Sequence, residues 1–183
     1  MSEKLEGIDL NAALKAYENG DDAAFDPIFN AMRAPLCFFI NRYVNDPAAA
    51  EDIMMDTFAE LLLNGRRFNY KSSLSSYLFS IARNKAVTYF RSQQKLQPLK
   101  DDNIPDPDYS VIEEEYLSSE ERRRLHEAMA DLREEYRTVL HLHYFEDMSI
   151  ERIAVVMKKN KKQVYNLLYR ARASLKEVLG DLL

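Results

Sequence analysis

Residues 132–176 read LREEYRTVLHLHYFEDMSIERIAVVMKKNKKQVYNLLYRARASLK, and the spacing within them decides the fold. Val164, Leu168, Ala171 and Leu175 recur at i, i+4, i+7 and i+11, the period of one buried helical face. Asn160, followed three residues later by Gln163, supplies a cap-like start, and the helix is expected to run to about Leu179. Ser149 to Met157 predicts a shorter helix before it, and Glu134 to Phe145 another before that. Two capped helices on either side of a tight turn make a helix-turn-helix. The inward residues fix the outward ones, leaving Lys161, Lys162, Gln163, Tyr165, Asn166, Tyr169 and Arg170 toward solvent. Lys158, Lys159, Lys161, Lys162, Arg170, Arg172 and Lys176 place seven bases in nineteen residues without a carboxylate among them. In a helix-turn-helix the start of the second helix enters the major groove, where Gln or Asn pairs with adenine and Lys with guanine. The remaining cations can neutralise phosphates. Taken alone, such a face has a solvated basic surface as its lesser alternative; the capped helices ahead of it favour DNA further.

Working upstream, Ser118 with Glu121 forms a capping box that opens a helix with Leu125, Met129 and Leu132 inward. The stretch from Gln93 to Tyr116 has no apolar period, holds Pro98, Pro105 and Pro107, and is acidic, which predicts a solvated linker. Before it, Asp9 caps a short helix that Gly20 stops, with Leu10, Leu14 and Tyr17 on one side. A second helix begins near Asp21 or Asp22 and sets Phe25, Ile28, Phe29, Met32, Phe39, Ile40 and Tyr43 at helical spacing, with a kink expected at Pro35. The third starts at Asp46 with Pro47 in its first turn and ends at Asn64-Gly65. Its polar face carries Glu51, Asp52, Asp56 and Glu60. Ser72 or Ser73 caps a fourth helix reaching about Ser92. The expected class is therefore all-α, with two small helical domains, 1–92 and 118–183, joined by a flexible acidic linker, 93–117.

Composition agrees with that class. The 183 residues include only 4 Gly and 6 Pro, and 46% are hydrophobic, enough for two small cores. The net charge of -5 hides segregation. Residues 1–60 carry four bases against twelve acids, residues 61–100 eight bases and no acid, residues 101–121 nine acids and no base, and residues 122–183 thirteen bases against nine acids. The single cysteine, Cys37, stands among Leu36, Phe38, Phe39 and Ile40, so it has no internal disulfide partner and is expected in a core. MSEKLEGIDL lacks a basic start followed by an apolar run, and no apolar run approaches the roughly 20 residues that span a bilayer. The expectation is a cytoplasmic chain without membrane insertion.

Three motifs carry a resemblance. Residues 132–176 resemble the promoter-reading fourth region of extracytoplasmic-function sigma factors. AEDIMMDTFAELL, residues 50–62, resembles that family's second-region helix that grips the polymerase clamp. LSSYLFSIARNKAVTYFR, residues 74–91, resembles its promoter-opening helix. Their order and spacing match the family over nearly the whole chain. The resemblance implies two partners, core RNA polymerase and promoter DNA, with an anti-sigma factor as a third. It implies that Asp52, Met55, Asp56 and Glu60 form an acidic surface with apolar content that binds polymerase. It further implies that Arg67, Phe68, Tyr70, Lys71, Ser72, Ser73, Tyr77, Arg83, Asn84 and Lys85 capture the non-template strand at the minus-ten element. Rings, hydroxyls and cations are suited to that work: rings stack on bases or line a pocket for an extruded base, hydroxyls read its edge, and cations hold phosphates. Phe68 and Tyr77 equally suit closing a core, and Asn84 a helix-packing hydrogen bond.

Some positions depart from the family pattern. Lys158 and Lys159 occupy a turn where glycine is common, Leu167 a place where a base is frequent, and Tyr77 one often held by tryptophan. Leu167 either touches a thymine methyl or extends the core. Arg152 replaces the acid that would complete a capping box with Ser149.

Enzyme readings are poorly supported. His141 and His143 are two apart and His126 is distant, so no metal spacing is evident. There is no phosphate-binding glycine loop, and Cys37 lacks an activating neighbour. No catalysis, metal or cofactor is expected. Two other readings stand beside the sigma factor: a stand-alone helix-turn-helix regulator, which would not need the acidic helix, and a sigma mimic that sequesters an anti-sigma factor, which would not need the DNA-facing cations.

Overall fold

The computed structural model describes residues 8–65, 68–96, 124–125, 128–129 and 131–181. The described residues contain α-helices and one 3-10 turn, with no strand. The chain divides into two compact units, Glu3–Pro107 and Asp108–Leu183.

The first unit contains α1 (Leu10–Glu18), a 3-10 turn (Asp22–Ala24), α2 (Phe25–Val44), α3 (Pro47–Asn64) and α4 (Leu74–Leu96). Its starts are set by side-chain caps. Asp9 accepts from the N–H groups of Asn11 and Ala12 at 3.0 and 3.1 Å, and Asp46 from those of Ala48 and Ala49 at 3.0 and 3.2 Å. Each satisfies donors that a helix start leaves orphaned. Gly20, at φ 99°, takes the chain out of α1. At the centre lies α2, packed on α1, α3 and α4. Ile28, Met32, Leu36, Phe39 and Ile40 of α2 are buried with Phe58 and Leu61 of α3 and Leu74, Leu78 and Phe79 of α4. This burial explains why α2 is continuous through Pro35. An interior proline costs about 3 kcal/mol, whereas each large apolar side chain buried returns roughly 1.5–3 kcal/mol. Thr57 is buried as well, its hydroxyl satisfied by the Ile53 carbonyl at 2.8 Å.

Two local expectations are corrected in this unit, and one helix end falls where it was expected. Cys37 is half-buried rather than in the core, and burial followed by the charge of Glu51 raises its thiol above the ordinary value. α3 stops at Asn64 with Gly65 as its cap, where the sequence places the end, and Gly65 takes a right-handed conformation, φ -54°. α4 continues past Ser92 to Leu96, because Gln93, Gln94, Lys95 and Leu96 are good helix formers and Pro98 is the first residue that opposes the helix.

The second unit contains α5 (Glu134–Tyr144), α6 (Ile150–Met157) and α7 (Lys161–Asp181). Ala128, Met129 and Leu132 are buried with Val139, Leu140 and Leu142 of α5, Ile153, Val156 and Met157 of α6, and Val164, Leu168 and Ala171 of α7. Leu175, expected inward, is half-buried, as is Leu167. His141 is buried, its Nε2 3.2 Å from Glu146 Oε1 and its ring stacked on Phe145 at 5.3 Å. The proposed Ser118–Glu121 cap and most of the linker lie outside the described residues. Among the described residues no helix is long and apolar enough to cross a membrane.

The turn between α6 and α7 closes without glycine. Lys158 adopts φ 53°, ψ 44°, its N–H bonds the Val155 carbonyl at 3.2 Å, and the Lys159 N–H bonds the Ala154 carbonyl at 3.0 Å. These two bonds are the Schellman pair that ends a helix through a left-handed residue. An L-residue held there costs about 1–2 kcal/mol. Lys158→Gly should therefore stabilise this unit by about 1 kcal/mol, less a part for glycine's greater unfolded freedom. The readout is a rise of a few degrees in its thermal midpoint; a fall would contradict the left-handed turn.

Candidate nucleic-acid interfaces

The outer face of α7 starts from its cap. Asn160 Oδ1 accepts from the Gln163 N–H at 2.9 Å, and Gln163 Oε1 accepts from the Asn160 N–H at 2.8 Å, a complete reciprocal box. Lys161, Lys162, Gln163, Tyr165, Asn166, Tyr169 and Arg170 are all exposed along this helix. The box consumes the Gln163 carbonyl. A two-bond contact with adenine needs that oxygen to accept from the base's amino group, so with the box closed Gln163 offers only its amide donors. Such donors fit the O6 and N7 of guanine or a phosphate. Of the two amides expected to pair with adenine, only Asn166 keeps both of its functions available in this conformation.

The seven bases are not equally available. Lys161 Nζ sits 2.7 Å from Glu151 Oε1 of α6, and Lys159 Nζ 2.8 Å from Glu135 Oε1 of α5. The hydrogen bond and charge between Lys161 and Glu151 hold the carboxyl below its ordinary value and the ammonium above its own. Arg172 lies 3.4 Å from His143 Nε2 and 5.4 Å over the Tyr144 ring. Among the described residues no carboxylate pairs with Lys158, Lys162, Arg170 or Lys176. Glu135 and Glu151 went unnoticed in the sequence because each lies on a different element from its partner, Lys159 in the turn and Lys161 on α7.

On the first unit, Asp52, Met55 and Asp56 of α3 are exposed side by side, and Met55 is 53% exposed. Leu62 and Leu63 continue the apolar part of this face, Leu63 at 83% exposure. Sequence reasoning missed them, although Leu62 stands seven residues, two helical turns, beyond Met55. Glu60 does not share the openness of the two aspartates. Its Oε2 is 3.1 Å from Lys85 Nζ on α4, so two residues assigned to separate surfaces meet each other.

The loop between α3 and α4 gathers some of its expected residues and redirects others. Phe68 is buried, with Tyr70 4.8 Å and Tyr77 5.1 Å from its ring. It supports those rings and offers no open face of its own. Tyr70 stands at φ 57°. Lys71 is exposed, its N–H on Asn69 Oδ1 at 3.1 Å. Ser73 is the helix cap, accepting from the Ser76 N–H at 3.2 Å, while Ser72 precedes it, half-buried. Tyr77, Arg83 and Lys85 are half-buried on α4 and Asn84 is exposed. Arg67 lies outside the described residues.

Contacts from α1 to this loop had no warning in the sequence. Asn11 Oδ1 accepts from the Leu74 N–H at 2.7 Å, and Asn11 Nδ2 donates to the Ser72 carbonyl at 3.2 Å. Glu18 accepts from the Tyr70 hydroxyl at 2.5 Å. Burial, then the hydrogen bond and charge of Glu18, push the Tyr70 phenol up to about 12, so it is a donor at neutral pH.

Comparison with known proteins gives a consistent result. The model of Sigma-70 region 2 matches residues 28–96 and that of Sigma-70 region 4 matches residues 122–175. The RNA polymerase sigma-H factor of Pseudomonas aeruginosa is 27% identical over 180 residues, covering 93% of each chain. The ECF RNA polymerase sigma-E factor of Haemophilus influenzae is 26% identical, covering 94% of this chain and 96% of its own. Among solved structures, CnrH in complex with the cytosolic domain of CnrY matches with a TM-score of 0.71 at 21% identity, covering 94% of this chain and 97% of its own. The sigma factor RpoE in complex with the anti-sigma factor NepR, from Bartonella quintana, matches with a TM-score of 0.66 at 20% identity, covering 85% and 96%. At those identities the structures speak for the fold.

Proposed function

The chain belongs to the sigma-70 family, in its extracytoplasmic-function group, and from that premise we propose how its parts share the work of directing transcription initiation. The first unit binds core RNA polymerase through the α3 face of Asp52, Met55 and Asp56, extended by Leu62 and Leu63. The loop around Tyr70 and the start of α4 hold the unpaired strand of the minus-ten element. The second unit reads the minus-thirty-five duplex through the outer face of α7, with the acidic segment between them as a linker. The chain performs no catalytic step, needs no metal or cofactor, and works beside the polymerase in the cytoplasm. A protein of the anti-sigma kind, like the partner named with RpoE, is proposed to hold it between uses.

The observation that most supports this division is the segregation of surfaces. Exposed acids and exposed apolar side chains lie together on α3, while the outer face of α7 carries cations, amides and phenols around a complete cap. A regulator acting alone has no use for the first surface, and a mimic no use for the second. Each stacked base contributes roughly 1–3 kcal/mol, so a few ring contacts help offset local unpairing.

The decisive experiment is run-off transcription with purified core polymerase on a promoter library, with and without this chain. Specific transcripts that depend on the chain are expected. Their absence, with duplex binding intact, would leave the stand-alone regulator as the better reading.

A further inference from the structure

We propose that α1 is a positioning element for the strand-capturing loop, with Asn11, Lys15 and Glu18 setting the loop conformation that selects the minus-ten base. The proposal rests on the reading of the Tyr70 loop given above. It goes beyond that reading because the region 2 match begins at residue 28, after α1 has ended.

Asn11, Lys15 and Glu18 recur at i, i+4 and i+7, one stripe of a helix, while Leu10 and Leu14 of the same helix are buried and anchor it. The stripe grips the loop at two points. At the first, Asn11 bonds the backbone on both sides of Ser73, through the Ser72 carbonyl and the Leu74 N–H. The Leu74 N–H belongs to the first helical residue of α4, an orphan donor. The Ser73 hydroxyl is engaged with Ser76, so Asn11 supplies the acceptor that Leu74 needs. At the second point, Glu18 takes the Tyr70 hydroxyl and Lys15 Nζ lies 4.8 Å over the Tyr70 ring. Tyr70 occupies a left-handed conformation that an L-residue rarely adopts, and such a residue persists only where its surroundings hold it. The contacts from α1 are that hold.

Between the two grips lies the exposed Lys71. A cleft of about 510 Å³ opens between α1 and the loop, with Tyr17 and Glu18 on one side, Phe68 and Tyr70 on the other, and Leu61 and Leu62 of α3 completing the wall. Its shape depends on where α1 keeps Tyr70. Moving the ring therefore changes which base the loop accepts, while Asp52, Met55 and Asp56 of α3 lie outside the cleft lining.

The test compares the full chain with Asn11→Ala/Glu18→Ala, Lys15→Ala, Glu18→Gln and Tyr70→Ala variants, each bound to core polymerase. Strand opening is followed by permanganate reactivity, and base preference by selection from a library randomised across the minus-ten element. Loss of the three hydrogen bonds is expected to lower opening about tenfold and to flatten the base preference. Lys15→Ala should flatten it in part, with the fold unaffected because the side chain is exposed. Glu18→Gln keeps an acceptor for the Tyr70 hydroxyl and should restore the preference. If Tyr70→Ala alters opening while the α1 variants keep the parental preference, the inference fails and the loop reading stands. An unaltered Tyr70→Ala variant would remove the loop reading and this inference together. A uniform loss at every promoter together with loss of polymerase binding would reduce α1 to a structural support and overturn the proposal.

Discussion

Replacing Asp52 and Asp56 with lysine is expected to abolish co-purification of the chain with core polymerase while leaving it folded. Both carboxylates are exposed on α3, whereas the helix is anchored by Ile53, Met54, Thr57 and Phe58 on its opposite face. Lysine forms helix at least as well as aspartate, so the thermal midpoint should change by only a few degrees. Of the four acids on this helix, Glu60 is neutralised by Lys85, whereas Glu51, Asp52 and Asp56 are exposed. Asp52 and Asp56 therefore supply two of the three remaining outward negative charges. Two reversals exchange attraction for repulsion against a basic partner, and like charges set opposite each other at an interface cost several kcal/mol. A loss of about a hundredfold or more is expected. Retained co-purification would move the polymerase contact away from this face, to the apolar end at Leu62 and Leu63 or elsewhere.

Lys161→Ala/Lys162→Ala is expected to weaken binding to the promoter duplex and to flatten its salt dependence. For every phosphate that the protein no longer neutralises, the slope of log K against log salt falls by about 0.9. The two lysines should not contribute equally, because Lys161 already rests on Glu151 at 2.7 Å and Lys162 has no such partner among the described residues. Lys162→Ala alone should remove about one unit of slope, and Lys161→Ala less. Glu151→Gln then serves as the complementary variant: it frees the Lys161 ammonium and should strengthen binding at low salt. An unchanged slope in the double variant would exclude both lysines from phosphate binding, and an unchanged affinity in Glu151→Gln would show that the pair opens at no cost when DNA arrives.

Local chemistry made much of the chain legible. Asp46 before Pro47, and Asn160 three residues before Gln163, announce helix starts because a cap is a bond between near neighbours, and both caps are present. Apolar spacing identified Val164, Leu168 and Ala171 as buried, since a helix of fixed period has little freedom in which face it turns inward. The all-α class followed from the same two signals. Where a residue's role depends on a second helix, spacing fell short. Phe68 looked as suited to stacking on a base as to closing a core, and the packing of α3 against α4 put it in the core.

What the sequence alone determined, among the described residues, is the helices α1 to α7, the caps at Asp9, Asp46 and Asn160, and the basic outer face of α7, all of which depend on neighbours within about a turn. Tertiary structure alone decided which of those side chains are free to act. Glu151 claims Lys161, Lys85 claims Glu60, and α1 reaches across 52 residues to Tyr70 and 63 to Leu74. Such pairs form only when packing of the apolar faces brings distant segments together, and no local period encodes which polar groups will then meet.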